Sequence, residues 1–186
     1  MPLNSQSTAV PTMLQLIHEP PVHRATLPGY ESLNRALLAG LAREIDGPHV
    51  RQSHLEMGRH ENTYIAREAI PEVEPLCRAA LSAAQQILGR QELRLGFWFN
   101  IMQPGDRTAR HNHEEGDECL SCVYYLEAPE NSGDLLLYPP QGILHITPVN
   151  GRLVFFSPRL AHAVEENRSG RRRVSVAFNF GPEAPS

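Results

Sequence analysis

Hydrophobic residues in the first half of the chain recur every three or four positions in two segments. The first segment, residues 30–46, is followed by Gly47-Pro48, and its apolar positions are Leu33, Leu37, Leu38, Leu41 and Ile45. The second begins at Pro71 and reaches Gly89, with an apolar face made of Val73, Leu76, Cys77, Ala80, Leu81, Ala84, Ile87 and Leu88. This spacing predicts two amphipathic helices, with Pro71 at the start of the second and Gly89 as its C-cap.

The pattern changes after residue 92, where short apolar runs alternate with turn residues. The runs are 93–102, 120–127, 134–138, 143–148, 152–157 and 173–180. Regular short strands of this kind are typical of an all-β sandwich or barrel. We therefore predict one domain, mainly β: residues 1–92 form an extended arm and two helices that pack on the barrel, and residues 93–186 form a jelly-roll core. The stretch 49–70 is polar and shows no period.

Composition narrows the classes of partner. Hydrophobic residues make up 41% of the chain, and the formal net charge is -4, so nothing electrostatic points to nucleic acid or to an anionic membrane surface. No apolar run is long enough for a membrane span. The first residues lack the basic and apolar regions of a signal peptide, and we expect a cytoplasmic protein.

Two residue types limit the available chemistry. The three cysteines, Cys77, Cys119 and Cys122, do not suggest a disulfide framework. All 17 basic residues are arginine, so Schiff-base catalysis by lysine is excluded. Any side-chain cation that holds an acidic ligand must be an arginine.

Three histidines form a candidate metal site. His111 and His113 follow the turn Pro104-Gly105, and His162 comes after the apolar run that ends near Phe156. Since strand side chains alternate, His-x-His at a strand end puts both imidazoles on one face. Imidazole binds iron, zinc, copper and nickel, so these ligands do not choose the metal. The alternative is that all three are surface loop histidines.

A cationic segment follows the third histidine. On the last predicted strand, Arg171, Arg173 and Ser175 share one face by period two, and Arg172 points the other way. One arginine could bind a carboxylate in a bidentate manner while Ser175 adds a hydroxyl; the alternative is a solvated basic edge. Tyr125 could offer its phenol to the same carboxylate or belong to the core.

Asn100 lies in an aromatic run, Phe97-Trp98-Phe99-Asn100. A buried amide needs a hydrogen-bond partner, and a ligand bound to the metal is one candidate.

Residues 96–181 resemble the iron(II)/2-oxoglutarate-dependent oxygenases. They look closest to a small bacterial and phage group of 2-oxoglutarate–iron oxygenases that is similar to the prolyl hydroxylases. The matching elements are Trp98-x-Asn100, Pro104-Gly105, His111-x-His113, Val123-Tyr124-Tyr125-Leu126, Ser132-Gly133-x-Leu135, Gly151-x-Leu153, His162-x-Val164 and Arg173-x-Ser175-x-x-Phe178-Asn179.

The resemblance implies a double-stranded β-helix (jelly roll) that uses Fe(II), 2-oxoglutarate and O2 to hydroxylate a substrate, with release of succinate and CO2. His111 and His162 would be iron ligands. Arg171 or Arg173, with Tyr125 and Ser175, would bind the distal carboxylate of 2-oxoglutarate, and Asn100 would lie near its chelating end.

The chain departs from the wider superfamily at His113, where Asp or Glu is usual. A three-histidine site is the expectation, because the nearer group often shows His-x-His. Glu114, Glu115 or Asp117 could instead supply a carboxylate.

Two other functions fit parts of the sequence. A cupin-type dioxygenase, isomerase or binding protein would use the three histidines with Glu118 and no 2-oxo acid, but the glycine expected in that motif is replaced by Tyr125. A degenerate jelly-roll binding module would retain no iron. The substrate, a small molecule or a peptide, is not selected by the sequence, and the helices could pack on the barrel or on a second copy as a homodimer.

Overall fold

Two antiparallel sheets form the body of the protein in this computed structural model, which describes residues 14–56, 58–112 and 116–183. In chain order the elements are β1 (Ile17–Glu19), β2 (Val22–Thr26), α1 (Tyr30–Glu44), β3 (Val50–Glu56), β4 (Arg59–Ile65), α2 (Glu74–Leu88), β5 (Leu93–Met102), β6 (Thr108–His111), β7 (Leu120–Glu127), β8 (Leu135–Leu137), β9 (Leu144–Ile146), β10 (Arg152–Phe156), β11 (His162–Val164) and β12 (Arg173–Pro182). No helix among the described residues is long and apolar enough to span a membrane.

The major sheet has eight strands in the order β1-β2-β10-β7-β12-β5-β4-β3, and the minor sheet has four in the order β6-β11-β8-β9. An apolar cluster that includes Tyr125, Leu135, Ile146 and Phe156 draws on strands of both sheets and fills the space between them. The predicted jelly-roll fold is confirmed.

The helices cover the other face of the major sheet. Leu37 and Leu41 of α1 and Leu76 of α2 belong to one apolar cluster with strand residues such as Phe178. Because both faces of the central strands are covered, β7 is buried at six of its eight positions, which explains its continuous apolar sequence. Both predicted helices are confirmed, and α2 ends at Gly89 with a left-handed φ of 64°.

Six of the twelve described strands lie outside the predicted apolar runs, namely β1, β2, β3, β4, β6 and β11. The polar stretch 49–70 contains the hairpin β3–β4, and the polar run before His111 contains β6. In β3 only Val50 and Ser53 are even half-buried, so the strand carries little apolar signal. With β1 and β2, this hairpin means that the N-terminal part supplies four of the eight strands of the major sheet.

Candidate active site

His111 and His162 meet across two neighbouring strands of the minor sheet. His111 is the last residue of β6, His162 is the first of β11, and the two are cross-strand partners. Their ring centroids lie 4.2 Å apart. Tertiary pairing therefore brings together two of the three histidines in the predicted metal site.

Both rings are oriented in the same way by the backbone. The Nδ1 atom of His111 lies 2.9 Å from the carbonyl oxygen of Ala109, and that of His162 lies 2.9 Å from the carbonyl of Leu160. A carbonyl can only accept, so Nδ1 carries the proton in each neutral ring and Nε2 carries the lone pair. A backbone carbonyl on the second ring nitrogen is the usual arrangement in metal-binding histidines.

The two histidines differ in burial. His162 is 8% exposed and packs edge-on against Phe156, with ring centroids 5.0 Å apart, whereas His111 is exposed on an edge strand. His113, Glu114 and Glu115 lie outside the described residues.

The two described carboxylates that follow His113 most closely in the sequence, Asp117 and Glu118, lie next to an arginine. Asp117 forms an ion pair with Arg94, and a Glu118 oxygen lies 3.9 Å from the same guanidinium. Neither residue lines the cavity beside the histidine pair. The structure therefore does not bring Asp117, the alternative third ligand, or Glu118, the cupin ligand, to the two histidines.

A cavity of about 510 Å³ lies between the sheets and contains both histidines in its wall. The inner face of β12 contributes Arg173, Ser175, Ala177 and Asn179. These positions alternate along the strand, as expected for one face. One cavity therefore joins the metal-type ligands to the predicted carboxylate site.

Arg173 is a buried cation with an incomplete set of partners. Its side chain is 1% exposed, and Nη1 donates to the carbonyls of Ser132 at 3.3 Å and Gly133 at 2.8 Å. The guanidinium carbon lies 5.4 Å from the centroid of the Tyr125 ring. Burial lowers the pKa of Arg173, because removing a cation from water disfavours its charged form.

Four buried polar side-chain atoms lack a hydrogen-bond partner among the described residues, and three of them belong to this group: Arg173 Nε, Tyr125 OH and Ser132 Oγ. Burial also raises the pKa of Tyr125 to about 12, so the phenol keeps its proton near neutral pH. Orphaned buried donors of this kind are costly unless a ligand completes them. A carboxylate would supply both the counter-charge and the acceptors, so the donor set fits the distal end of 2-oxoglutarate.

The neighbouring arginines have a different environment. Arg171 Nη2 and Arg172 Nε each donate to the carboxylate of Glu127 at 3.1 Å, and both side chains are exposed. Arg171 precedes β12, so the alternation that would align it with Arg173 does not extend to it. The structure brings Arg173 into the cavity and leaves Arg171 at the surface.

Ser175 and Asn100 are cross-strand partners in the wall of the cavity. Asn100 Nδ2 donates to the carbonyl of Glu61 at 2.7 Å and to Asn62 Oδ1 at 3.2 Å. The Asn100 amide is half-buried, and it finds two hydrogen-bond partners on β4.

Sequence reasoning missed the residues that form the rest of the wall. The β3–β4 hairpin contributes His54 and Leu55, and the far end of the cavity contains Ser121, whose hydroxyl donates to Asn179 Oδ1 at 2.8 Å. Arg59 joins the hairpin to β6 through the carbonyl of Arg107 at 2.9 Å. An alternating Ser-x-Val-x-Tyr pattern on β7 was the available signal for Ser121.

A separate group of potential metal ligands lies outside this cavity. Oxygens of Asp134 and Glu165 are each 3.8 Å from His145 Nδ1, and none of the three residues lines the cavity. His145 and Glu165 are exposed, so these contacts are those of surface ion pairs.

Comparisons with known proteins agree with this geometry. Residues 96–179 match the family described as "Putative 2OG-Fe(II) oxygenase". That segment contains His111, His162 and Arg173. No curated protein matches the chain in sequence.

Solved structures show the same fold. A prolyl-4-hydroxylase from Pseudomonas putida is 22% identical with a TM-score of 0.61, and the match covers 88% of this chain and 89% of that one. A prolyl hydroxylase from Trichoplax adhaerens, solved with a peptide of hypoxia inducible factor, is 17% identical with a TM-score of 0.71, covering 88% and 84%.

A third similar structure is the epimerase SnoN from nogalamycin biosynthesis, solved with Fe3+, α-ketoglutarate and nogalamycin RO. It is 14% identical with a TM-score of 0.66, and the match covers 86% of this chain and 78% of that one. Residues 96–179 therefore match the 2OG-Fe(II) oxygenase family, whose members use Fe(II), 2-oxoglutarate and O2, and this match confirms the predicted resemblance and enzyme class.

Proposed function

We propose that this oxygenase binds Fe(II) through His111, His113 and His162, and that Arg173 and Tyr125 hold the distal carboxylate of 2-oxoglutarate. Ser175 and Asn100 lie on the cavity wall beside Arg173 and would contact the body of the cosubstrate. His113 enters the proposal on sequence spacing alone.

One observation carries the proposal. The Nε atom of the buried Arg173 guanidinium and the buried hydroxyl of Tyr125 lack hydrogen-bond partners among the described residues, and Arg173 lines the cavity that also contains the histidine pair. Burying a cation without a counter-charge costs several kcal/mol by the usual desolvation argument, roughly 3–5 kcal/mol. An anionic ligand that spans from Arg173 to the histidines offsets this cost.

The residues of the chain position the reactants and exclude water. Arg173 supplies charge and a planar donor set, and the protonated Tyr125 donates one hydrogen bond. The carbonyls of Ala109 and Leu160 keep the two histidine rings in the tautomer that binds a metal. When bound, Fe(II) with 2-oxoglutarate supplies the activation of O2, with release of succinate and CO2.

The substrate is proposed to enter between the β3–β4 hairpin and the histidine pair. Leu55 on the hairpin is 65% exposed, and Trp98 lies in the same cavity wall. This mouth suits a small molecule or a peptide that carries an apolar group. We also propose that the protein is cytoplasmic. Association of two copies as a homodimer would be detected by sedimentation of the purified protein.

The test is an anaerobic titration of Fe(II)-loaded protein with 2-oxoglutarate, followed by the visible charge-transfer band of the chelate. We expect a band that is lost in His162→Ala, and an apparent Kd raised roughly hundredfold in Arg173→Ala, because the substitution removes a buried charge partner. Arg171→Ala is the matched control and should leave the Kd within about twofold, as expected for an exposed ion pair.

Two results would count against the proposal. Iron binding without the band would remove the cosubstrate assignment. A loss of affinity in Arg171→Ala that equals the loss in Arg173→Ala would show that the buried guanidinium is not the carboxylate site.

A further inference from the structure

Asn167 is a fully buried polar residue outside the cavity wall. It is 0% exposed and lies in the segment between β11 and β12. Its amide nitrogen donates to the carbonyl of Met102 at 3.1 Å and to the carbonyl of Arg171 at 2.8 Å. One side chain therefore bridges the end of β5 and the residues that lead into β12.

The side-chain oxygen and the backbone groups of Asn167 also form hydrogen bonds. Its Oδ1 accepts from the Ser169 backbone N–H at 3.1 Å and from the Ser169 hydroxyl at 2.6 Å. Its backbone N–H donates to the carbonyl of Asp106 at 2.8 Å, and its carbonyl accepts from Gly105 at 2.8 Å. Asn167 thus joins its own loop, between β11 and β12, to the β5–β6 loop and to the end of β5.

These hydrogen bonds lie at the end of the β5–β12 ladder where Arg173 is located. Arg173 is the first residue of β12, and its partner on β5 is Met102. The end of a ladder frays unless its last groups are tied down. The Asn167 amide ties both sides of this end, because Met102 is on β5 and Arg171 is two residues before the strand.

We infer that Asn167 is a positioning residue for cosubstrate binding: it fixes the ladder end from which Arg173 reaches the distal carboxylate. The inference rests on the proposed function, in which Arg173 binds that carboxylate. It assigns Asn167 no contact with iron or 2-oxoglutarate. The histidines come from β6 and β11, so the effect on the cosubstrate should exceed the effect on the metal.

The experiment compares Asn167→Asp with the unsubstituted protein in Fe(II) affinity and in anaerobic affinity for two 2-oxo acids. The aspartate side chain can still accept hydrogen bonds from Ser169. It cannot donate to the carbonyls of Met102 and Arg171 as the Asn167 amide does. We expect the Kd for 2-oxoglutarate to rise about tenfold, as is typical when buried acceptors lose their donor. The Kd for Fe(II) should stay within about threefold, and the Kd for 2-oxobutyrate, which has no distal carboxylate, should not rise.

Two further variants separate this inference from the proposed function. Ser169→Ala removes a hydroxyl from the same group of hydrogen bonds but leaves both Asn167 donors in place, and its Kd for 2-oxoglutarate should change less than about threefold. Arg173→Ala tests the proposed function itself. If Arg173→Ala weakens binding and Asn167→Asp does not, the inference fails and the proposed function stands.

Asn167→Ala provides a second variant without a new charge. Three results would overturn the inference, because each indicates only a structural role. They are an equal rise in the Kd for both 2-oxo acids, a loss of Fe(II) affinity that parallels the loss of 2-oxoglutarate affinity, and failure of both Asn167 variants to fold. A loss confined to 2-oxoglutarate in either variant supports it.

Discussion

Two neighbouring tyrosines on β7 have opposite roles. Tyr124 faces the helices, and its hydroxyl donates to Asn34 Oδ1 at 2.6 Å; Asn34 in turn donates to the carbonyl of Leu126 at 2.8 Å. Tyr125 faces the other sheet, and its hydroxyl has no partner among the described residues. Both rings are fully buried, so the difference comes only from the polar atoms around them.

The variant Tyr125→Phe should separate ligand binding from stability. It removes a hydroxyl that the folded protein leaves unpaired, so the free energy of unfolding should stay the same or rise. The Kd for 2-oxoglutarate should rise about tenfold, since a hydrogen bond to a carboxylate is lost. Urea denaturation and the anaerobic titration measure the two effects.

Tyr124→Phe is the matched control for that variant. It leaves a buried Asn34 oxygen without its donor and should cost about 1–3 kcal/mol of unfolding free energy, with little change in cosubstrate affinity. If Tyr125→Phe instead destabilised the protein as much as Tyr124→Phe, the hydroxyl of Tyr125 would have a structural partner and no ligand role.

At the scale of the elements, the turn between β7 and β8 supports the cavity from outside. The carbonyls of Ser132 and Gly133 accept from Arg173. The carbonyl of Asp134 accepts from the Glu165 backbone N–H at 3.0 Å, and the Asp134 N–H donates to the Glu165 carboxylate at 3.3 Å. Gly133 has a φ of 90°, and a Cβ atom there would come within 2.3 Å of the Glu165 carbonyl oxygen. The turn therefore requires glycine both for its backbone conformation and for close packing.

Gly133→Ala should thus destabilise the protein by about 2 kcal/mol or more, and it should also weaken 2-oxoglutarate binding because the carbonyls that hold Arg173 must shift. Thermal denaturation and the anaerobic titration measure this. Gly170→Ala is the control: no atom lies within 4 Å of the added Cβ, and its effect should be within about 0.5 kcal/mol. A fully stable Gly133→Ala would contradict the packing argument.

At the scale of the whole molecule, the cavity is a shared product of both sheets and the N-terminal hairpin. The major sheet supplies Arg173, Ser175 and Asn100 and, through its hairpin β3–β4, a further part of the wall. The minor sheet supplies the histidines. A ligand that contacts both sheets should therefore stabilise the entire fold and not one element.

Iron and 2-oxoglutarate together should raise the melting temperature in anaerobic buffer. A ligand at 100 times its Kd stabilises the folded state by about 2.7 kcal/mol, which corresponds to about 5–10 °C for a domain of this size. Arg173→Ala should keep the shift caused by iron and lose the shift caused by 2-oxoglutarate; His162→Ala should lose both. A 2-oxoglutarate shift without metal, in His162→Ala, would mean that the cosubstrate binds elsewhere.

The sequence by itself determined the elements whose signal is local. Helical spacing located α1 and α2, and Gly89 marked the end of α2. Both signals depend only on residues that are close together in the sequence, because a helix repeats every 3.6 residues and its C-cap directly follows it. The long strands β5, β7 and β12 were found because each is a run rich in aliphatic and aromatic residues. The motifs around His111, His162 and Arg173 were sufficient to indicate the family, since the residue types in short motifs and the order of those motifs can be seen in the sequence alone.

Only the tertiary structure decided which candidates meet. Arg171 and Arg173 are two residues apart, but Glu127 from β7 binds one at the surface, while burial between the sheets isolates the other. Asp117 and Glu118 lie beside Arg94 of β5 and do not line the cavity that contains the two histidines. Strand β3 and the role of Asn167 depend on partners far along the chain, whose positions are set by long-range pairing and burial and leave no periodic trace in the sequence.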